Sequence, residues 1–203
     1  MSISRNEHKR ISPMGGTREE RVEKIMNARW SDLEIVLESI DDPHNIGAIL
    51  RTCDAVGIGH VHLLYPNGKP PRLKEIRSDS AASAAKWLKI TKWTSIQDLV
   101  QDLKSRNLTI YATALDPKGK PHFEYDLTTP SAIIVGNEKD GISSDLLSQA
   151  DKIITISMRG FVQSLNVSVA AAVVLEEAMR QRITNHQAPT TAYGGIPHTK
   201  ISK

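Results

Sequence analysis

The stretch VQSLNVSVAAAVVLEEA, residues 162–178, joins two kinds of sequence in one run. From Val167 onward it is apolar and built of small residues, the composition of a helix packed closely on several sides. Ahead of that element stand Gln163, Ser164 and Asn166. Buried amide and hydroxyl groups cost free energy unless they are hydrogen-bonded. They are therefore expected to cap the helix, as Ser and Asn do well, or to hold something that is not protein. Ser164 and Asn166 fit both roles, and the two can coexist.

Working outward, short β-rich apolar runs recur at Leu33–Leu37, His60–Tyr65, Leu108–Ala112, Ala132–Val135 and Ile153–Ile156, with a weaker one at Leu88–Trp93. Helical patterns lie between them at Ile46–Val56, Ile96–Leu103 and Asp145–Ala150, and the last is Val167–Arg182. Strands alternating with helices predict an α/β fold with an open, mainly parallel sheet flanked by helices. In such a sheet, ligands bind beyond the carboxyl ends of the strands. Three segments that follow strands are polar and carry glycine: DDPHNIGAILRT (41–52), GNEKDGIS (136–143) and SMRGFVQSLN (157–166). Three such loops on one edge predict a site. At the amino terminus, Thr17 and Glu20 form a capping box for a helix expected to carry Val22, Ile25, Met26 and Trp30 on one side.

Composition excludes several classes. The chain has 203 residues, 39% hydrophobic and 24% charged, with a net charge of +3. That size supports one domain with a sizeable core. Its basic residues cluster at Arg5, Lys9, Arg10, Arg18, Arg21, Lys24 and Arg29, and again at Lys69, Arg72, Lys74 and Arg77. Solvated surface is the plain reading of such clusters, and contact with nucleic acid the sharper one. Cys53 is the single cysteine, so neither an intrachain disulfide nor a cysteine zinc site is spelled out. It falls within a helical pattern and reads as core. No secretory leader or membrane span is present, so a cytoplasmic location is the default expectation. The phosphate loop G-x-x-x-x-G-K-[ST], the dinucleotide turn G-x-G-x-x-G and the G-x-S-x-G elbow are all missing. His60 and His62 share a strand face, but with no carboxylate assigned to them they make a weak metal site.

Three longer segments carry a resemblance. DPHNIGAILRTCDAVG (42–57), IIVGNEKDGIS (133–143) and ITISMRGFVQSLNVSVAAAVVLEEAMRQR (154–182) resemble, in order, the three motifs of the TrmH/SpoU family. These are SPOUT-class RNA ribose 2′-O-methyltransferases that use S-adenosyl-L-methionine. The resemblance implies a sheet whose C-terminal segment forms a deep trefoil knot, with the cofactor bent inside it. Threaded connections are rare enough that pattern alone does not predict one. Position by position, it assigns cofactor contacts to Gly136, Ile156 and Leu165, largely through backbone groups, and a further one to Thr113. It assigns the polar active site to Asn45, Arg51, Glu138, Ser164 and Asn166. Seen alone, Asn45 would be a helix cap, Arg51 a surface arginine and Glu138 a turn residue.

The layout expected from this is a basic arm and helix at 1–30, a methyltransferase domain at 31–183 and a tail at 184–203. The implied partners are RNA, tRNA favoured over rRNA, and a second copy of the chain paired through the knotted region, with no metal and no membrane. The absence of a long ribosomal-protein-like N-terminal domain favours tRNA, and the motif details favour the D-loop guanosine at position 18. An rRNA or wobble-position 2′-O-methyltransferase and a catalytically silent knotted RNA-binding module are the alternatives. Gly47 and Ser157, which stand where close tRNA enzymes carry serine and proline, keep the choice of RNA open.

Overall fold

Trp30–Glu38 forms β1, buried on both faces from Leu33 onward. A strand buried toward both sides belongs in the middle of a parallel sheet with helices above and below. The computed structural model, which describes residues 16–72, 76 and 84–185, places β1 there. Seven strands lie in the order β3-β2-β1-β6-β4-β7-β5, and every pairing is parallel. The others are β2 (Ile58–Leu64), β3 (Lys89–Trp93), β4 (Thr109–Thr113), β5 (Lys120–Pro121), β6 (Ser131–Val135) and β7 (Lys152–Thr155). In register, Ile35 lies opposite Val61 on one side and Ile133 on the other. The chain builds outward from β1 to β3 and then jumps back across the sheet to β4. It later inserts β6 between β1 and β4 and lays β7 on the far side of β4. The open, mainly parallel α/β sheet expected from the alternation is therefore present. The two-residue β5 is the strand that periodicity did not reveal, being too short to have a period.

The helices whose bounds lie among the described residues are α1 (Arg18–Asn27), α2 (Pro43–Val56), α3 (Ile96–Ser105), α4 (Ser144–Leu147) and α5 (Val167–Thr184). On one face of the sheet Leu33, Ile35 and Leu37 pack with Ile49, Leu50 and Cys53 of α2 and with Ala171, Val174 and Leu175 of α5. On the other face Val36, Ile110 and Ile134 pack with Leu99 and Leu103 of α3 and Leu146 of α4. Cys53 is core, as expected, and burial pushes its thiol pKa up to about 12. At Thr17 the capping box is complete: the Thr17 side chain accepts from Glu20 N–H and the Glu20 carboxylate from Thr17 N–H. No residue of α1 is buried, however, so Ile25 and Met26 stay exposed, and Trp30, expected on this helix, opens β1 instead because α1 stops at Asn27. Residues 1–15 of the expected arm, Lys74, Arg77 and residues 186–203 of the expected tail lie outside the described residues.

Helix ends fix the direction of the two helices nearest the site. Asp42 caps α2 by accepting from His44 N–H, Pro43 opens its first turn, and Gly57 closes it at φ +84°. Asn166 caps α5, so the two candidate caps are resolved in favour of Asn166, and Ser164 is free for another role. The far end of α5 is anchored by Arg182, 1% exposed. Its guanidinium donates to Asp32, Leu127 O and Thr129 O and lies 5.4 Å from the centre of the Trp30 ring. The C-terminal helix, expected to be packed closely on several sides with buried polar groups ahead of it, is only partly buried. Val169 is 48% exposed, and Phe161 through Asn166 all lie open to solvent.

Candidate active site

Loops at the carboxyl ends of β4, β6 and β7 close around a cavity of about 670 Å³, within the range of small-molecule sites. Thr113, Gly136, Ile156 and Leu165 all line it, as do Glu138, Ser164 and Asn166, and Gln163 is part of the same wall. Leu115, Asn137, Ile142, Met158 and Ala170 also line the cavity and were not singled out from the sequence. Asn137 stands inside the GNEKDG segment, which was the available signal. The Thr113 hydroxyl donates to Ile134 O at 2.9 Å, which leaves its lone pairs free to accept.

The β6 loop is closed on itself. Asn137 and Gly141 exchange backbone hydrogen bonds at 2.9 Å, and Gly141 sits at φ +71°. A Cβ on Gly136 would come within 2.2 Å of the Gly141 backbone carbon, so only glycine fits this neck. Apolar walls from Val135, Ile142, Ile154 and Ile156, next to the carboxylates of Glu138 and Asp140, suit a ligand with a flat apolar part and a cationic part.

At the rim a hydrogen-bond chain joins three loops. Asn166 donates to Asn45 Oδ1 at 3.0 Å, and Asn45 donates to Glu138 Oε1 at 2.7 Å. Asn166 Oδ1 accepts from Ser168 N–H and Oγ–H, so the residue that starts α5 also orients Asn45. The fold thus brings together Asn45, Glu138 and Asn166, residues far apart in sequence. It does not bring Arg51 into that chain. Arg51 stands on the solvent side of α2 and has no hydrogen bond or ion pair among the described residues. With His44, Ala48 and Ala55 it shares the exposed stripe of α2. Beneath the rim the Tyr65 hydroxyl donates to Ile40 O at 2.7 Å. Burial, with the charges of Asp41 and Glu138, pushes its pKa up.

The His60–His62 pair has a carboxylate partner after all. Pairing of β1 with β2 sets Glu34 beside both rings, with ligand-type atoms of all three within 4.8 Å of one another. The hydrogen bonds argue against a metal. Trp93 Nε1–H donates to His62 Nδ1 at 2.9 Å, so that nitrogen carries the lone pair and Nε2–H donates to Glu34 at 2.7 Å. A metal on Nε2 would force a proton onto Nδ1, facing the indole N–H. Arg106 also donates to both Glu34 oxygens, at 2.5 and 2.9 Å. Burial alone would raise the Glu34 pKa, but the bonds from His60, His62 and Arg106 outweigh it and hold the carboxyl well below its usual range. Burial lowers His62 and keeps it neutral. The cluster is an ion-pair network tying β1 and β2 to the end of α3.

A cavity of this size beyond the carboxyl ends of a parallel sheet, rimmed by amides and a carboxylate, marks an α/β protein that binds a nucleoside-sized cofactor beside a polar substrate. Within that class the chain belongs to the SpoU rRNA Methylase family, which its residues 32–176 match. Over 166 residues it is 43% identical to the tRNA (guanosine(18)-2'-O)-methyltransferase of Thermus thermophilus, covering 82% of this chain and 84% of that one. The solved A. aeolicus TrmH/SpoU tRNA modifying enzyme matches with a TM-score of 0.78 and 35% identity, over 85% of this chain and 87% of that chain. The SpoU methyltransferase AviRb from Streptomyces viridochromogenes, solved with AdoMet, matches with a TM-score of 0.67 and 27% identity, over 78% and 64% of the two chains. The protein is a methyltransferase of the SPOUT fold, with that fold's C-terminal knot, and S-adenosylmethionine is its cofactor.

Proposed function

We propose that the protein methylates the ribose 2′-hydroxyl of a tRNA guanosine, the one at position 18. The observation that carries this reading is the Asn166–Asn45–Glu138 chain at the rim of the cofactor cavity. It is supported by similarity to an enzyme named for that nucleotide. When bound, S-adenosylmethionine supplies a methyl group already activated as a sulfonium, so this chemistry needs no metal. Gly136, Ile156 and Leu165 hold the cofactor through backbone groups, and Thr113 adds a hydroxyl lone pair. Asn45, Glu138, Ser164 and Asn166 orient the ribose and keep water out. Alignment of this kind contributes roughly 7–11 kcal/mol in well-ordered systems.

Arg51 has no protein partner among the described residues, so its guanidinium is available to RNA. With a pKa above about 12 it stays protonated and is no general base. Its role is to lower the pKa of the 2′-hydroxyl by placing positive charge beside the developing alkoxide. The active form is a homodimer, because Phe161, Val162 and Val169 leave an apolar surface beside the site that a second copy would cover. Among the described residues no helix is long and apolar enough to cross a membrane, and the proposed setting is the cytoplasm.

The test is to incubate the protein with labelled cofactor and separate preparations of tRNA and rRNA, then map the methylated nucleosides by mass spectrometry. A 2′-O-methylguanosine in the tRNA D-loop is expected. Label confined to rRNA or to a wobble nucleotide overturns the tRNA-guanosine reading, and no label in either RNA favours a silent binding module. A sedimentation profile that stays monomeric at micromolar concentration would refute the dimer.

A further inference from the structure

We propose that Glu38 is a positioning residue that sets cofactor affinity by clamping the loop that forms one wall of the cofactor cavity. Glu38 ends β1 and is 3% exposed, yet it makes no ion pair among the described residues. Its carboxylate accepts from Ser143 N–H at 2.8 Å and from Ser143 Oγ–H, and it has no other partner among the described residues. A buried carboxylate satisfied only by neutral donors carries a desolvation cost that an amide or an apolar side chain would avoid. Hydrogen bonds to an ionised acceptor are roughly twice as strong as neutral ones. The arrangement therefore gives a firm hold on one short segment of chain.

That segment ends the cavity wall. The loop is tied to the end of β1 twice, once near each of its own ends. At the far end is the Glu38–Ser143 pair. At the near end Asn137 Nδ2–H donates to Ser39 O at 2.7 Å and to Asp41 Oδ2 at 3.1 Å. Asn137 Oδ1 in turn accepts from Lys139 N–H at 2.8 Å, which shapes the turn between the two ties. Ser39 adopts φ +51°, a left-handed conformation uncommon for a residue with a side chain. That turn lets its carbonyl meet Asn137 while its own N–H donates to Leu64 O. Glu138, which the rim network uses, lies between the ties, and neither Glu38 nor Ser143 lines the cavity. Glu38 thus acts through the loop.

The inference rests on the cofactor reading of the cavity, and titration calorimetry with S-adenosylhomocysteine tests both separately. Glu38→Ala is expected to bind about tenfold more weakly, the equivalent of one strong hydrogen-bonded anchor. Its kcat at saturating cofactor should change much less than its KM. Glu38→Gln should recover most of the affinity, since its amide can accept from Ser143 N–H and donate to Ser143 Oγ. Ser143→Ala should weaken binding by less than Glu38→Ala, and the double variant should be no weaker than Glu38→Ala alone. Trypsin should cut Glu38→Ala selectively after Lys139, whereas a merely structural role would expose sites throughout the fold.

Wild-type affinity in Glu38→Ala, additive losses in the double variant, or a Gln variant as weak as Ala overturns the clamp. If Glu38→Ala does not fold, Ser143→Ala decides, and unchanged affinity there overturns it. A wild-type protein that fails to bind S-adenosylhomocysteine removes the cavity reading itself, and the clamp with it.

Discussion

Glu34 and Glu38 stand on the same face of β1, and both are 3% exposed. The inner one is surrounded by positive or proton-donating groups: Arg106 from the end of α3 and His60 and His62 from β2. Among the described residues the outer one accepts hydrogen bonds only from the backbone and hydroxyl of one serine. One residue type on one strand therefore serves two ends. Glu34 binds elements of the sheet to each other, and its loss should be felt as stability. Glu38 and the rim beyond it fix loops that carry little of the core, and losses there should be felt as function. β1 is where the two regimes meet.

The largest effect expected is at the inner end. Glu34→Gln strips the charge that Arg106 and the two histidines are arranged around and should cost about 3 kcal/mol of stability, the low end for a broken buried pair because Arg106 is partly exposed. The protein that remains folded should bind S-adenosylhomocysteine normally. Urea unfolding alongside calorimetry measures both, and unchanged stability with lost binding would invert the comparison.

Next comes Arg51→Ala, for which turnover should fall a hundredfold or more, as when one charge-stabilising donor is removed from an active site. Stability should move by less than about 0.5 kcal/mol for so exposed a side chain, and cofactor affinity should hold. Single-turnover methylation on a well-folded variant decides it. Wild-type rates would remove Arg51 from the chemistry, and weakened cofactor binding would move it into the pocket.

Asn166→Ala tests where the regimes overlap. Loss of the α5 cap should cost about 0.5–2 kcal/mol, together with slower methyl transfer through Asn45. A purely functional or purely thermal defect would show that the two roles are separable.

The smallest effect is pH dependence. His62 is depressed below its ordinary 6.5 by burial, so the unfolded chain takes a proton that the folded one refuses. Stability then declines as pH falls below 6.5. Glu34 is depressed from 4.5, so its contribution is present above that value and is lost as pH falls further. The thermal midpoint should begin to drop below pH 6.5 and drop more steeply below 4.5, and Glu34→Gln should flatten the second limb. A midpoint that rises on acidification would contradict the tautomer assigned to His62.

The fold class was legible because its signals are local. Alternating runs marked the strands, and Thr17 with Glu20 marked the start of α1. Boundaries were softer: β1 begins at Trp30 rather than Leu33, since a half-exposed strand end has little pattern. The cavity residues came from resemblance and from polar loops after strands, and the structure does gather them at one edge. The partner of His60 and His62 was not legible, because nothing local pairs Glu34 with residues on another strand until register is known. Arg51 marks the opposite limit. It was singled out only through the resemblance, and its proposed role depends on RNA, which the chain alone does not contain.

One amide carries a consequence for motion. Asn166 uses its side-chain oxygen to hold the Ser168 N–H in the first turn of α5 and its nitrogen to orient Asn45, while its own carbonyl accepts from Val169 and Ala170. Fraying of the first helical turn and misorientation of the rim are therefore the same event. The amide protons of Ser168 and Val169 should exchange with solvent in step with the fraction of molecules whose rim is out of register. Their slowing when a ligand bridges Asn45 and Glu138 would make helix protection a direct gauge of site order.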